Sequence, residues 1–330
     1  MTATLWASGC STAPLDVGHA TTAAVATGPR TATIPSADPI PVAESPTPRL
    51  PATVRTHDGH TVTVTDVSRI VALDRYGSYG TAVFALGLGR NLVGRDIATK
   101  FPAAAAVPLM TPGGTDANVE AIIAQRPTVV LTDASLPNAA VLERQLTSTG
   151  ILVVVGDADR TVAGTDALLR FTAAALGVPG PGDQLTHRVD TQLADAKRAI
   201  PPDADRPRIA FVYARGTGLL ILGGPGSGAD SLIDAIGGRD AGTAAGLTDA
   251  FTSLTSEGLI KAAPDVLLMM SDGLASVGGV DGLLKVPGVA ETPAGRNRRV
   301  IDMDDGELLS FGARTGDVAM ALSRALYGPR

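Results

Sequence analysis

One unit of sequence occurs twice in this 330-residue chain: EAIIAQRPTVVLTD at residues 120–133 and EGLIKAAPDVLLMMSD at residues 257–272. In both copies a Glu opens a short apolar pattern typical of a helix, and a Pro follows seven positions after that Glu. The apolar run after the Pro predicts a buried strand, which ends near an Asp. Helices that lead into buried strands are typical of helix-covered parallel sheets, so the repeat predicts two similar α/β lobes.

Around the first copy, short apolar strands alternate with amphipathic helices. A hairpin precedes them, because Asp58-Gly59 suits a two-residue turn between residues 52–56 and 60–64. Together these elements define an N-terminal lobe over residues 52–160. Strands are predicted at residues 70–73, 129–131 and 151–155, and helices at 81–86, 120–125 and 141–149.

The next segment, residues 161–205, is predicted to be a helical linker, with helices at 165–176 and 183–200 around the sequence GVPGPG. A strand at 209–213 then opens a C-terminal lobe, residues 206–330. The predicted fold class is α/β: two similar α/β lobes with central, mainly parallel sheets, joined by one long rigid linking helix.

The single cysteine, Cys10, lies in the sequence LWASGC near the amino terminus. Small residues before a Cys resemble a bacterial lipobox, in which the Cys carries the lipid anchor; the alternative is an ordinary exposed cysteine. Because Ala7 replaces the commoner Leu and no basic region precedes it, we expect the signal peptide to begin further upstream. Residues 1–10 are then the rest of a signal peptide with its lipobox, and the Pro/Ala/Thr-rich residues 11–51 a disordered tether.

Composition excludes several classes of protein. Lys and Arg number 27 against 33 Asp and Glu, giving a net charge of −6 without a basic block, which argues against nucleic acid as a partner. One Cys excludes an internal disulfide framework. With 4 His and no Ser in a Gly-x-Ser-x-Gly motif, an α/β metal-dependent hydrolase is disfavoured, and we expect no catalysis.

The strongest local signal for a binding site is the sequence FVYARG, residues 211–216. Tyr213 and Arg215 are two positions apart on a predicted strand, so their side chains project to the same side, at the end where open α/β sheets place ligands. A phenolate is a suitable ligand for ferric iron, and a nearby guanidinium favours the anion. Such a pair also occurs for structural reasons alone.

Together, these features resemble the substrate-binding lipoproteins of ABC importers for haem, ferric siderophores and cobalamin. The resemblance covers residues 68–327 and is greatest to the haem-binding (HmuT-type) group, whose fold is the class III periplasmic-binding-protein fold. It is carried by FALGLG (84–89) with VGRD (93–96), YARG (213–216), GSGADSLI (226–233), GGVDGLL (278–284) and LLSFGART (308–315).

The resemblance implies that Tyr213 is the axial ligand of haem iron, supported by a hydrogen bond from Arg215. It also implies that Glu120 and Glu257, one in each lobe, form ion pairs with arginines of the permease. The alternative for each Glu is simple stabilisation of a helix N-terminus. Arg314, in the last matching stretch, is a further candidate for haem binding.

One position departs from the haem group, in which some members supply a second axial His from a Gly-Gly-His loop. Thr115 occupies that position, and threonine is a poor haem ligand. Either the iron is five-coordinate through Tyr213, or Tyr76, Tyr79 or Met110 replaces the His, or specificity has changed.

The resulting prediction is a monomeric lipoprotein on the outer face of the cytoplasmic membrane. It binds haem between the lobes and delivers it to an ABC permease and its ATPase for iron acquisition. The alternative within the same architecture is a ferric siderophore or cobalamin carrier.

Overall fold

A computed structural model describes residues 27–328. Its strands are β1 Arg30–Thr31, β2 Ala52–Arg55, β3 Thr61–Val64, β4 Ile70–Leu73, β5 Leu92–Arg95, β6 Val129–Thr132, β7 Val153–Val155, β8 Arg208–Arg215, β9 Leu219–Gly223, β10 Arg239–Asp240, β11 Phe251–Ser253, β12 Val266–Met270 and β13 Val300–Met303. Its α-helices are α1 Ser78–Ala85, α2 Val119–Ala124, α3 Ala139–Ser148, α4 Thr165–Ala175, α5 Pro179–Arg198, α6 Ala229–Ala235, α7 Ala241–Ala244, α8 Ser256–Ala262, α9 Ser271–Ser276, α10 Gly279–Leu283, α11 Pro293–Arg296 and α12 Thr315–Tyr327.

The N-terminal lobe contains a four-stranded sheet in the order β5-β4-β6-β7, with every neighbouring pair parallel. All residues of β4 and β6 are buried, as expected for central strands covered by helices on both faces. The C-terminal lobe has a larger sheet in the order β1-β13-β12-β8-β9-β11, with β10 beside the start of β8. Only β9 and β11 run antiparallel to their neighbours, so the predicted α/β class with two mainly parallel sheets is confirmed.

The repeated unit has the same backbone course in both lobes. Helices α2 and α8 begin at side-chain caps, Asn118 and Thr255, whose oxygens accept a backbone N–H three residues later. Each unit then passes through a residue with positive φ directly before the proline, Arg126 at 48° and Ala263 at 43°. A residue before proline avoids the α region, which ends the helix at this point.

The two helices predicted in the linker, at 165–176 and 183–200, are both present as α4 and α5, and α5 is the longer one. α4 packs against α1 and the hairpin, whereas α5, with 20 residues, packs along both α4 and α12. α5 begins at Pro179 instead of residue 183, since proline in the first turn costs no intrahelical hydrogen bond. Gly182 lies against Ala173, where a side chain would collide, and so lets the two helices approach closely.

The leading hairpin is formed by β2 and β3, as predicted, but its turn is longer than two residues. The N–H of Gly59 donates to the carbonyl of Thr56 (2.9 Å), and the N–H of Thr56 donates to the carbonyl of His60 (2.8 Å). Gly59 has φ of 87°, which glycine adopts without strain.

The predicted disordered tether is wrong for residues 30–51, which we call the N-terminal strap. Its first residues form β1, paired in parallel with β13, and the N–H of Ala32 donates to Asp302 (2.7 Å). Further along, the N–H of Val42 donates to Ala85 and that of Arg49 to Gly177, both in or beside the N-terminal lobe. Main-chain pairing at a sheet edge needs no apolar periodicity, so composition alone did not reveal it.

Cys10 and the beginning of the predicted tether lie outside the described residues. Within residues 27–328, no helix combines the length and apolar character needed to cross a membrane.

The strap should contribute to folding through Ala32, which is 3% exposed and packs in the core of the C-terminal lobe. Ala32→Asp buries a carboxylate without a partner and should lower the free energy of unfolding by ~2 kcal/mol or more in urea denaturation. The matched control is Thr33→Asp, at an exposed neighbouring position, which should change stability little. Equal effects of the two variants would show that the strap is not packed in this way.

Candidate ligand-binding site

Tyr213 lies near the carboxyl end of β8, a central strand between β12 and β9. The guanidinium of Arg215 lies over its ring, 4.6 Å from the centroid, so the two side chains do share one side. We expected a hydrogen bond from Arg215 to the Tyr213 hydroxyl. In the described residues, 27–328, the two side chains stack and are not joined by a hydrogen bond. The cation instead donates to the carbonyl of Ala214 (2.8 Å) and pairs with Asp305 (2.7 Å).

A chain of polar contacts connects Arg215 to the opposite lobe. Asp305 accepts a hydrogen bond from the backbone N–H of Asp272 (2.9 Å). The carboxylate of Asp272 in turn pairs with Lys100 of the N-terminal lobe, with 2.9 Å between Nζ and Oδ2. Its hydrogen bond to Asp272 raises the pKa of Lys100. Lys100 therefore bridges the lobes close to the Tyr213 side of the cleft.

Tyr76 reaches this region from the N-terminal lobe, in the loop between β4 and α1. It is half-buried and packs against the hydrophobic cluster of the C-terminal lobe, as Tyr213 does. Burial raises the pKa of Tyr76, so its phenol is neutral at pH 7 without a further positive partner. Of the two tyrosines predicted beside β4, Tyr76 is the one at the lobe interface.

The prediction of Tyr79 as a candidate ligand is wrong, because the residue is 1% exposed and lies in the core of the N-terminal lobe. Its hydroxyl lies against Gly156, where a Cβ would collide with it. Burial also raises the pKa of Tyr79 far above the usual value for tyrosine.

The prediction of Arg314 as a ligand-binding residue is also wrong. It is 3% exposed and donates to the carbonyls of Ala37 (3.1 Å) and Gly306 (2.9 Å). Ala37 belongs to the N-terminal strap, so Arg314 fastens the strap to the C-terminal lobe. Its role is structural.

Thr115 lies half-buried in the loop before α2. It makes no side-chain hydrogen bond within the described part of the chain. Glu120 and Glu257 are both exposed, each at the second position of its helix, as the repeat predicts.

Sequence reasoning missed a buried charged cluster beneath Tyr76. Asp74, Asp96 and Asp133 each directly follow a strand of the N-terminal sheet, namely β4, β5 and β6, and Arg160 lies among them. Arg160 pairs with Asp133 and Asp74, and its Nε donates to Ser78 Oγ (3.0 Å). The available signal was an acidic residue immediately after each of three neighbouring strands, because parallel strands end at a common edge.

The cluster fixes the loop that carries Tyr76. The carboxylate of Asp74 accepts backbone N–H groups from Tyr76 (2.8 Å) and Tyr79 (3.0 Å), which ties it to the loop and the start of α1. The guanidinium of Arg160 lies 5.6 Å from the Tyr76 ring centroid and 5.5 Å from that of Tyr79. Burial opposes its charge, but the two carboxylates raise the pKa of Arg160 and keep it protonated.

Two similar lobes, with aromatic and charged side chains collected where their strands end, define the class of bilobal substrate-binding proteins. The chain belongs to the periplasmic binding protein family, whose sequence profile matches residues 70–306.

Several solved structures resemble the chain closely. It is 36% identical to the heme binding protein HmuT, over 92% of this chain and 98% of that one, with a TM-score of 0.85. The periplasmic heme-binding protein RhuT from Roseiflexus sp. RS-1 is 35% identical over 79% and 98%, with a TM-score of 0.72. BhuT, solved in complex with two hemes, is 32% identical over 78% and 97%, with a TM-score of 0.70. No curated protein matches the chain significantly.

The buried cluster should give folding stability a characteristic pH dependence through Asp96. Burial and the neighbouring Asp74 carboxylate raise the pKa of Asp96 to about 7. The unfolded chain releases this proton near pH 4, whereas the folded chain keeps it until about pH 7. In that interval the folded state binds more protons, so this contribution to stability falls as pH rises.

Urea unfolding at about pH 5 and pH 8 tests this expectation. Between these values the parent protein should lose ~1–3 kcal/mol more unfolding free energy than Asp96→Asn, which cannot titrate. The readout is the pH slope, because Asn also changes the hydrogen bonds that Asp96 accepts from the N–H groups of Asp74 and Thr99. The same slope in both proteins would contradict the assignment. Asp166→Asn, at an exposed position, is the control.

Proposed function

We propose that this protein binds haem in the cleft between its lobes, with Tyr213 as axial ligand of the ferric iron. The observation that carries the proposal is the Tyr213–Arg215 pair at the carboxyl end of β8. It occurs in a chain that is 36% identical to a heme binding protein over 92% of its length.

The relatives support the same two residues by their spacing. Solved variants of HmuT include a tyrosine replaced by alanine and an arginine, two positions later, replaced by alanine. Tyr213 and Arg215 have that same spacing. A third solved variant replaces a histidine, whereas residues 111–118 of this chain contain none.

The chemistry of the pair suits ferric iron. A ligating tyrosine must lose a proton whose pKa is about 10, and the metal supplies most of the driving force. A cation beside the ring suits an anionic tyrosine ligand of iron, and Asp305 holds Arg215 in that position.

Tyr76 comes from the other lobe, and we propose that it meets the second face of the haem. Its raised pKa leaves it a neutral phenol, which is a weak ligand or a hydrogen-bond donor. We therefore favour five-coordinate iron through Tyr213, with Tyr76 covering the second face.

The wider proposal is a lipoprotein anchored by Cys10 to the outer face of the cytoplasmic membrane, which passes its haem to an ABC permease and its ATPase. Glu120 and Glu257 would pair with basic residues of the permease, since both are exposed and equivalently placed in the two lobes. A siderophore or cobalamin carrier has less support, because the relatives named above bind heme. Nothing in the described residues supports a hydrolase.

Replacing the ligand tests the haem proposal. Tyr213→Phe removes the phenolate and should lower affinity for ferric haem at least ~tenfold, or ~1.4 kcal/mol. It should also abolish the tyrosinate charge-transfer band in the visible spectrum. Tyr327→Phe on α12 is the control and should bind haem normally. No Soret shift of the parent protein with micromolar haem would refute the proposal.

Docking is tested separately from binding. Glu120→Ala combined with Glu257→Ala should reduce haem uptake by cells several-fold, because two ion pairs with the permease are lost. Haem affinity of the purified variant should stay unchanged, since neither residue contacts the cleft side chains described above. Weakened haem binding would argue against a docking role.

A further inference from the structure

Two exposed isoleucines occupy matched positions in the two lobes. Ile123 is 36% exposed and follows Glu120 by three residues, and Ile260 is 47% exposed and follows Glu257 by three residues. Single exposed apolar residues are common on protein surfaces and need no explanation. The described residues contain few large ones, however: Ile40, Ile97, Ile123, Val141, Leu219, Phe251 and Ile260. An exposed isoleucine at the same position of both repeats does need an explanation.

The match extends to the whole surface of α2 and α8. From each Glu onward, successive residues are exposed, half-buried, buried, exposed and exposed in both helices. The buried positions are Ile122 and Leu259, which anchor each helix to its lobe at 0% exposure. The next residue is exposed in both copies, yet both have isoleucine.

Each isoleucine lies on the same helix face as its glutamate, because residues three apart are neighbours on a helix surface. We call the combination of Glu and Ile on each lobe a Glu–Ile patch: Glu120 with Ile123, and Glu257 with Ile260. Each patch offers one negative charge beside one apolar side chain.

In the N-terminal lobe, hydrogen bonds fix the direction of α2. The N–H of Asn118, at its start, donates to Met110 (2.8 Å), beyond the carboxyl end of β5. Gln125, at its end, accepts from Arg69, which precedes β4. The Glu120 end of α2 therefore lies at the carboxyl end of the sheet.

In the C-terminal lobe, α8 has the same direction. The N–H of Leu254, just before α8, donates to Leu220 (2.9 Å), at the β9 end that pairs with the carboxyl end of β8. Past the helix, the N–H of Asp265 donates to Arg208, the first residue of β8 (2.7 Å). The Glu257 end of α8 thus lies at the same sheet end as Tyr213.

We propose that Ile123 and Ile260 form the apolar half of the docking surface for the permease, an inference that rests on the proposed function. The partner has two like halves, since two similar patches require two similar receptors. Each half presents a basic side chain to the Glu and an apolar depression to the Ile. A second copy of this chain fits poorly, because it would bring glutamate against glutamate in a protein of net charge −6.

The experiment compares haem uptake by cells carrying variants of the chromosomal gene, with surface amounts equalised by immunoblot. Ile123→Ser with Ile260→Ser should reduce uptake at least tenfold, and each single change should reduce it less. The matched control is Val141→Ser with Phe251→Ser, one exposed apolar residue per lobe outside the patches. This control should transport haem normally.

The outcomes separate the inference from the proposed function. If the glutamate variants lose uptake and the isoleucine variants keep it, docking stands and the apolar half is refuted. If uptake survives in both, docking through these helices is refuted. Weaker haem binding by the purified isoleucine variant, measured by Soret titration, would also overturn the inference. So would a changed sedimentation coefficient, because it would show that the patches bind a second copy.

Discussion

The buried ion pairs of Arg160 with Asp74 and Asp133 are the interaction on which the arrangement of the cleft depends. Arg160 lies where the chain leaves the N-terminal lobe, yet its guanidinium is inside that lobe between the ends of β4 and β6. Its carbonyl packs against Gly228 of the other lobe, and Val162 two residues later donates to Ser231 Oγ (2.9 Å). Removing one partner of a buried pair costs about 3–5 kcal/mol, so this junction is strongly fixed.

The side chains of the cleft are connected to this junction through a series of contacts. Asp74, held by Arg160, binds the backbone of the Tyr76 loop, and the loop rests on the C-terminal lobe. Across the cleft, Arg215 is held against Tyr213 by Asp305, and Asp305 is connected through Asp272 to Lys100 of the first lobe. The two aromatic walls are thus each oriented by a charged side chain, and each charged side chain is held by an aspartate.

The N-terminal strap adds a second connection between the lobes. It pairs with the edge of the larger sheet, passes Arg314 and then follows the N-terminal lobe to the hairpin. It therefore contacts both lobes, through Asp302 in the C-terminal lobe and Ala85 in the N-terminal lobe.

Local patterns were sufficient to predict the lobes, the repeat and the Tyr213–Arg215 pair, since strand periodicity and proline positions depend only on neighbouring residues. Tyr76 and Tyr79 were indistinguishable in sequence, because both follow the same strand. Their environments differ only in the folded chain, where α1 buries Tyr79 in the core of the N-terminal lobe and Tyr76 stays at the interface between the lobes. The predictions of Arg314 as a ligand-binding residue and of residues 30–51 as disordered were wrong for a related reason. The partners of these residues are distant in sequence or are main-chain atoms, which have no sequence signature. Only the tertiary structure decided which charged side chains are buried and which are exposed, because burial depends on contacts between segments that are distant in sequence.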